Sequence, residues 1–207
     1  TLAHFTGDFF AGLREGAAEL GIPEAQHENF IKVYLQFDKS CATFPEAIEA
    51  TLATFNRGLP KGFENYCERA TKRYASQIAL LPEAKELLEH LRSKNIPLAI
   101  ITNGTKDIQT AAIRQVNIQH YFKSLLISGE QGFRKPDARI FKLACERLET
   151  QPENCLMVGD KLDADIEGAK QLGMQTAWMS EEKVPGVLSS ADVRGLEIWL
   201  VSTLQQS

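Results

Sequence analysis

The sequence predicts an α/β protein, a Rossmann-like parallel sheet with a helical-bundle cap inserted into it. Two textures in the chain carry this reading. Residues up to the mid-seventies show only helical periodicity, whereas after Leu80 short apolar runs alternate with amphipathic stretches. A third observation is the polar punctuation: Thr102-Asn103-Gly104, Lys135-Pro136 and Gly159-Asp160 each follow one of those apolar runs. A chain of 207 residues suits one α/β domain with an inserted subdomain, or two small domains.

In the first part, Phe9, Phe10, Leu13, Ala17 and Leu20 fall on one helical face, and Gly21-Ile22-Pro23 ends that helix. Phe30, Val33, Tyr34 and Phe37 form the stripe of a second. Pro45 stands where a third can begin, and Ile48, Leu52 and Phe55 give it an apolar face. After Gly58-Leu59-Pro60, a fourth is marked by Phe63, Tyr66, Cys67, Ala70 and Tyr74. Amphipathic helices joined by short loops predict an antiparallel bundle. Beyond it, strands are expected at Pro97–Thr102, Ser124–Ser128, Cys155–Gly159 and Gln175–Met179. Helices are expected at Glu83–Lys94, Lys106–Gln115, Asp137–Glu149 and Ala164–Leu172. Continuous apolar strands of this kind belong to a parallel sheet covered on both faces. Asp192–Leu204 reads as a closing helix with Leu196, Trp199, Leu200 and Leu204 inward. Residues 1–7 and 78–207 are thus expected to form the core domain and 8–77 the cap, with no internal repeat and no low-complexity tract.

Composition narrows the function classes. The 43% apolar and 24% charged content is ordinary for a soluble globular protein. No run of about 18 uncharged apolar residues is present to span a membrane. A net charge of −4 argues against a large nucleic-acid footprint, though not against a small basic site. Cys41, Cys67, Cys145 and Cys155 are scattered and form no CxxC pair, and Cys145 and Cys155 read as small core residues. With no secretory signal pattern, a reducing, cytoplasmic compartment is expected.

Ligands of parallel α/β sheets sit at the carboxyl ends of the strands. There, Thr102-Asn103-Gly104 offers a hydroxyl and a tight turn whose backbone N–H groups could hold a phosphate oxygen, although an ordinary Asn-Gly turn explains the same residues. Pro136 holds the residue before it extended and favours a helix start after it, so Lys135 is aimed in a fixed direction. A point charge there suits a phosphoryl group, while a solvated loop lysine is the plainer account. Asp160, Asp163 and Asp165 form a plausible hard-cation site, since Mg²⁺ takes one or two carboxylates plus waters and substrate oxygens. Asp163 is also well placed to cap the following helix, which leaves Asp160 unexplained.

Hydroxyl, lysine and acid cluster therefore follow three successive strand ends. Thr102-Asn103-Gly104 resembles the second motif of the haloacid dehalogenase (HAD) superfamily, Lys135-Pro136 its third, and Gly159-Asp160 with Asp165 its fourth. Pro82, Tyr121-Phe122, Ser128-Gly129-Glu130 and Gly132 extend the resemblance to the subfamily with a helical cap, which includes enzymes like N-acylneuraminate-9-phosphatase and phosphoglycolate phosphatase. The resemblance spans essentially the whole chain. It implies Mg²⁺-dependent hydrolysis of a small phosphorylated metabolite through an aspartyl-phosphate. Lys135 and Thr102 would be catalytic, Thr102, Asn103, Gly104 and Lys135 would bind phosphate, and Asp160 and Asp165 would hold the metal.

The family's first motif, Asp-x-Asp-x-Thr, is represented here only by Thr1-Leu2, which resembles its tail. Its two aspartates are expected just upstream, on a strand central to the sheet. His4 and Phe5 would lie where the chain leaves the site, within reach of the leaving group, although a surface or hinge place explains His4 more simply. A phosphomutase shares all four motifs. A haloacid dehalogenase lacks the paired acids and needs no Mg²⁺, and a catalytically silent member would act as a binding protein. No nucleic acid or membrane partner is expected, and monomer and homodimer stay open, as does the choice of substrate.

Overall fold

The computed structural model describes residues 2–204, with the side chains at 199 and 201–204 outside that description. The expected inward places of Trp199 and Leu204, and the reading of Thr1, therefore lie outside the described residues.

Helix α1 (Phe9–Glu19) starts at Asp8, whose carboxylate accepts the Ala11 amide at 2.8 Å. Helices α2 (His27–Phe37), α3 (Phe44–Thr54) and α4 (Phe63–Ser76) follow. A capping box opens α3: the Glu46 amide donates to the Thr43 hydroxyl, and the Thr43 amide donates to the Glu46 carboxylate at 3.3 Å. The apolar stripes meet in one buried cluster that includes Ala17, Leu20, Phe30, Tyr34, Ile48, Leu52, Tyr66 and Cys67. Ile108, from beyond the bundle, completes it. Phe10 departs from the expected stripe and is 48% exposed. It stands at the edge of the arc, and the buried positions of the helix are Gly16, where a Cβ would lie 2.8 Å from the Tyr66 hydroxyl, and Ala17.

Strands β1 (Ala3–Phe5) and β2 (Ile78–Leu80) run antiparallel, with Ala3 opposite Leu80 and Phe5 opposite Ile78, and lead the chain into and out of the bundle. Next come α5 (Ala84–Ser93), β3 (Ala99–Thr102), α6 (Lys106–Gln115), β4 (Ser124–Ile127), α7 (Ser128–Gln131) and α8 (Ala138–Leu148). The chain ends with β5 (Leu156–Gly159), α9 (Gly168–Lys170), β6 (Gln175–Met179), β7 (Leu188–Ser190) and α10 (Val193–Leu204). The alternation of strands and helices is as the sequence predicts, and β1, β2 and β7, of three residues each, are additions. Cys145 is buried as expected, whereas Cys155 is half-buried with its sulfur 3.6 Å from that of Cys145.

The parallel sheet comes in two pieces. Strand β3 pairs with β4, while β5 pairs with β6 and β6 with β7, all in parallel. Among the described residues, no strand joins β3 to β5. Even so, the two pieces share both covering layers. Leu98 and Val158 pack with α5 and α10 on one face, and Ile101 and Met157 pack with α8 on the other. No described helix is long and apolar enough to cross a membrane.

The helix expected at Ala164–Leu172 is present but opens at Leu162 with a wide π-helical turn through Glu167 before the short α9. Asp165 lies within that turn. Its carboxylate folds back to accept the Lys161 amide at 3.0 Å and lies against Gly159, where any Cβ would collide with it. Because the turn begins at Leu162, Asp163 sits inside it and accepts only the adjacent Ala164 amide at 2.8 Å, so the expected helix cap is not formed.

Candidate active site

The ends of β3 and β5 and the loop after β4 converge on Lys135. Its ammonium lies 2.7 Å from Asp165 Oδ1 and donates to the Ile101 carbonyl at 2.8 Å. The pair is buried, with side-chain exposures of 11% for Lys135 and 2% for Asp165. In that setting the attraction between the two charges is screened far less than at the surface. Asn103 clamps the lysine's backbone from the other side: the Lys135 amide donates to Asn103 Oδ1 and Asn103 Nδ2 donates to the Lys135 carbonyl, both at 2.9 Å. A side-chain amide is suited to this because it offers donor and acceptor together. The sequence reading used only the backbone of Asn103; its amide side chain was the available signal.

Thr102 donates its hydroxyl to Gln109 Oε1 at 2.7 Å. The Gly104 amide, expected to be open, donates to the Ser128 hydroxyl at 3.0 Å, and the Gly129 amide returns a bond to the Gly104 carbonyl at 3.0 Å. Ser128 and Gln109 thus hold the Thr102–Gly104 turn in shape, and neither was singled out from the sequence for that task.

Asp160 stands at the end of β5, its backbone carbonyl fixed by the Trp178 indole N–H at 3.1 Å. Its carboxylate is 46% exposed and 3.3 Å from the Lys161 ammonium. Asp165, expected beside it at a metal, is engaged instead by Lys135 and by the Lys161 amide. Among the described residues, no group of three acidic, histidine or cysteine side chains gathers around one point.

Above the Thr102–Gly104 turn, a cavity of about 230 Å³ opens between bundle and sheet. Asn103, Gly104 and Gln109 line its lower end, and Phe5, Tyr34, Asp38, Arg73 and Tyr74 are among the residues around it. Phe5 thus reaches the site as expected, whereas His4 is exposed and outside the lining. The bundle is docked through the Phe44 amide on Asp107 at 2.9 Å, the Lys106 amide on the Ala42 carbonyl at 2.8 Å, and Arg134 on the Lys39 carbonyl at 3.0 Å. Burial pushes the Asp38 carboxyl above the usual carboxylate range, against the opposing pull of the Tyr34 hydroxyl 3.3 Å away.

With this geometry in place, comparison with known proteins is direct. The family model of haloacid dehalogenase-like hydrolases matches residues 4–173. The chain belongs to the haloacid dehalogenase-like hydrolases. Ribulose-1,5-bisphosphate 5-phosphatase of Halopiger xanaduensis is 30% identical to it over 190 residues, covering 91% of this chain and 73% of that protein. Human N-acylneuraminate-9-phosphatase is 35% identical over 114 residues, 55% of this chain and 46% of that protein. Phosphoserine phosphatase of Thermus thermophilus is 37% identical over 111 residues, 54% and 43%. In the last two cases the match spans less than half of the relative's length. A solved HAD phosphatase from Thermococcus onnurineus superposes with a TM-score of 0.70 at 23% identity, covering 93% of this chain and 88% of that one. A 2-haloacid dehalogenase from Pseudomonas syringae gives 0.72 at 20% identity, covering 95% and 93%. These two likenesses establish the HAD fold, which both chemistries use. The sequence relatives are phosphatases, and the expectation of an HAD-type phosphoric monoester hydrolase is borne out.

Proposed function

We propose that this chain forms the greater part of a Mg²⁺-dependent phosphatase acting on small phosphorylated metabolites. The observation that carries the reading is Lys135, held at its backbone by Asn103 and at its ammonium by Asp165 and the Ile101 carbonyl. A cation fixed at the end of β3 neutralises phosphoryl oxygens and restrains an anionic nucleophile without reorganising during the reaction. Thr102, one residue along from that carbonyl, is placed to donate to the transferring group once its hydroxyl turns from Gln109. Asp165 acts on the site through Lys135.

The nucleophile is proposed to be an aspartate on a further strand upstream of Thr1, inserted between β3 and β5. Support comes from the two sheet pieces, which share covering layers yet have no strand joining them among the described residues. Edges left that way carry unpaired amides and carbonyls inside a covered layer. Residues 1–7 and 78–207 would then form the core domain and 8–77 the cap that closes on it. The aspartate attacks phosphorus as the P–O bond to the alcohol breaks, and the second aspartate of the motif gives the leaving oxygen a proton. That second aspartate then takes a proton from water, which cleaves the aspartyl-phosphate to inorganic phosphate and the free carboxylate. For Mg²⁺, the exposed Asp160 carboxylate at a strand end fits a cation that retains waters and substrate oxygens. When bound, the ion offsets charge between nucleophile and phosphate.

The test is phosphate release from a panel of phosphorylated metabolites by the full-length protein, with Mg²⁺, with EDTA and with Asp160→Ala. Mg²⁺-dependent release that falls about 10²-fold or more in the variant is expected. A folded full-length protein that releases phosphate from no ester would sink the reading.

A further inference from the structure

The cavity above the Thr102–Gly104 turn constrains the alcohol that the phosphate is carried on, if the phosphatase reading holds. Its volume of about 230 Å³ lies below the ~300–1,000 Å³ of sites that take drug-sized ligands, which suits a small leaving group. Phe5 and Tyr74, with ring centroids 5.2 Å apart and planes tilted by 33°, form one aromatic wall, and Phe9 meets both edge-on at 5.9 and 6.4 Å. All three are only half-buried, so their rings have area left to cover. Gly12, three residues after Phe9 on α1, also lines the cavity, and a Cβ there would meet nothing within 4 Å. A glycine inside a helix weakens it, and here it leaves room beside Phe9 where a side chain could stand.

Charge narrows the choice further. Among the described lining residues only Asp38 and Arg73 are charged. Arg73 is already compensated, 2.8 Å from Glu19 and 3.5 Å from Glu15. Among the described lining residues no cation is therefore left uncompensated to receive a second anionic group, and the further cations at that end, Arg134 and Lys39, act on Asp38. Asp38, by contrast, receives one bond from the Tyr34 hydroxyl at 3.3 Å and has oxygen lone pairs in excess of it. Holding an acid in that half-buried place works against the stability of the fold, as expected of a group retained for a ligand.

We propose that the leaving group is a single flat ring, neutral or cationic, with an amine or hydroxyl that donates to Asp38, and that it carries no second phosphate or carboxylate. Stacking on Phe5 and Tyr74, an edge contact with Phe9 and a charged hydrogen bond at Asp38 supply the preference. Gly12 sets the depth available to the ring.

The experiment measures kcat/KM of the full-length protein with Mg²⁺ for pyridoxamine 5′-phosphate, phenyl phosphate, phosphoglycolate and ribulose 1,5-bisphosphate. In parallel, calorimetry follows binding of the phosphate-free pyridoxamine. The ring esters are expected to exceed the two anionic esters by about tenfold or more. Asp38→Asn should lower kcat/KM for pyridoxamine 5′-phosphate about tenfold, through KM, and lower it less for phenyl phosphate. Gly12→Leu, which adds a side chain in open space and favours the helix, should raise KM for both ring esters. Faster turnover of the anionic esters, or an Asp38→Asn loss equal for every ester, would overturn the proposal while leaving the phosphatase in place. If no ester is cleaved but pyridoxamine binds and loses affinity in Asp38→Asn, the pocket assignment holds and the phosphatase reading fails. No cleavage and no pyridoxamine binding would remove both.

Discussion

In the helical bundle Ala17, Ala47, Ile48, Thr51 and Leu52 are all buried to within 2% of full coverage. In the sheet, Ala99, Ile100 and Ile101 of β3 and Leu156 and Val158 of β5 are equally apolar, yet each is only half-buried. The two regions finish their cores by different means. A bundle is closed by side chains meeting across helices whose backbones are already satisfied. A sheet is closed by backbone pairing as well, and a strand with one neighbour is an incomplete element whatever its side chains are. The bundle's backbone is thus satisfied within its own helices, whereas β3 and β5 each have one paired neighbour among the described residues.

The sharpest way to break that comparison is Lys135→Ala. It should lower turnover by about 10²–10³-fold. By leaving Asp165 buried without its partner it should also destabilise the fold by about 3–5 kcal/mol. Hydrogen exchange should show the loss in β3 and β5 with α3 still protected; equal loss in both regions would refute their independence. Leu52→Ala probes the opposite region and should cost about 2–5 kcal/mol in denaturant unfolding, with exchange rising first in α2 to α4. Thr43→Ala removes one half of the capping box and should cost about 1 kcal/mol, a fall of roughly 2–4 °C in Tm by calorimetry.

The smallest effect is pH-linked. Burial raises the folded-state pKa of Asp38 above its unfolded value, so the fold favours the protonated acid. That contribution is complete below the unfolded pKa and is lost as pH rises through the folded pKa. Asp38→Asn should therefore raise Tm near about pH 7 and change it little near about pH 3. A gain confined to the acid side would contradict the assignment.

How far the molecule could be read from its sequence depended on whether the cause of a feature was local. Helix α6 and strand β6 match their expected ranges because periodicity and flanking turn residues mark both ends. Lys135 was legible through Pro136, and Asp160 through its place at the end of an apolar run. Strands β1, β2 and β7 were not, since three residues are too few to show alternation. The π-helical form of Leu162–Glu167 is invisible to periodicity, since Asp165 bonds back to the Lys161 amide and pairs with Lys135, thirty positions earlier in the chain. For the same reason the tasks of Gln109, of Ser128 and of the Asn103 side chain are not visible in the sequence: each acts on a residue that only folding brings near.

The laced pair β1 and β2 has a mechanical consequence. Ala3–Phe5 and Ile78–Leu80 lie bonded side by side, and Thr6 adds its amide at 2.7 Å and its hydroxyl at 2.9 Å to the Gln77 carbonyl. Two separate tethers would let the bundle slide and twist in any direction. A ribbon of two bonded strands resists shear and in-plane bending and yields across its thin dimension, like a leaf spring. Any movement of the bundle about this ribbon would have to break its other ties, the Phe44–Asp107, Lys106–Ala42 and Arg134–Lys39 bonds, and would carry Phe5 against Phe9 and Tyr74.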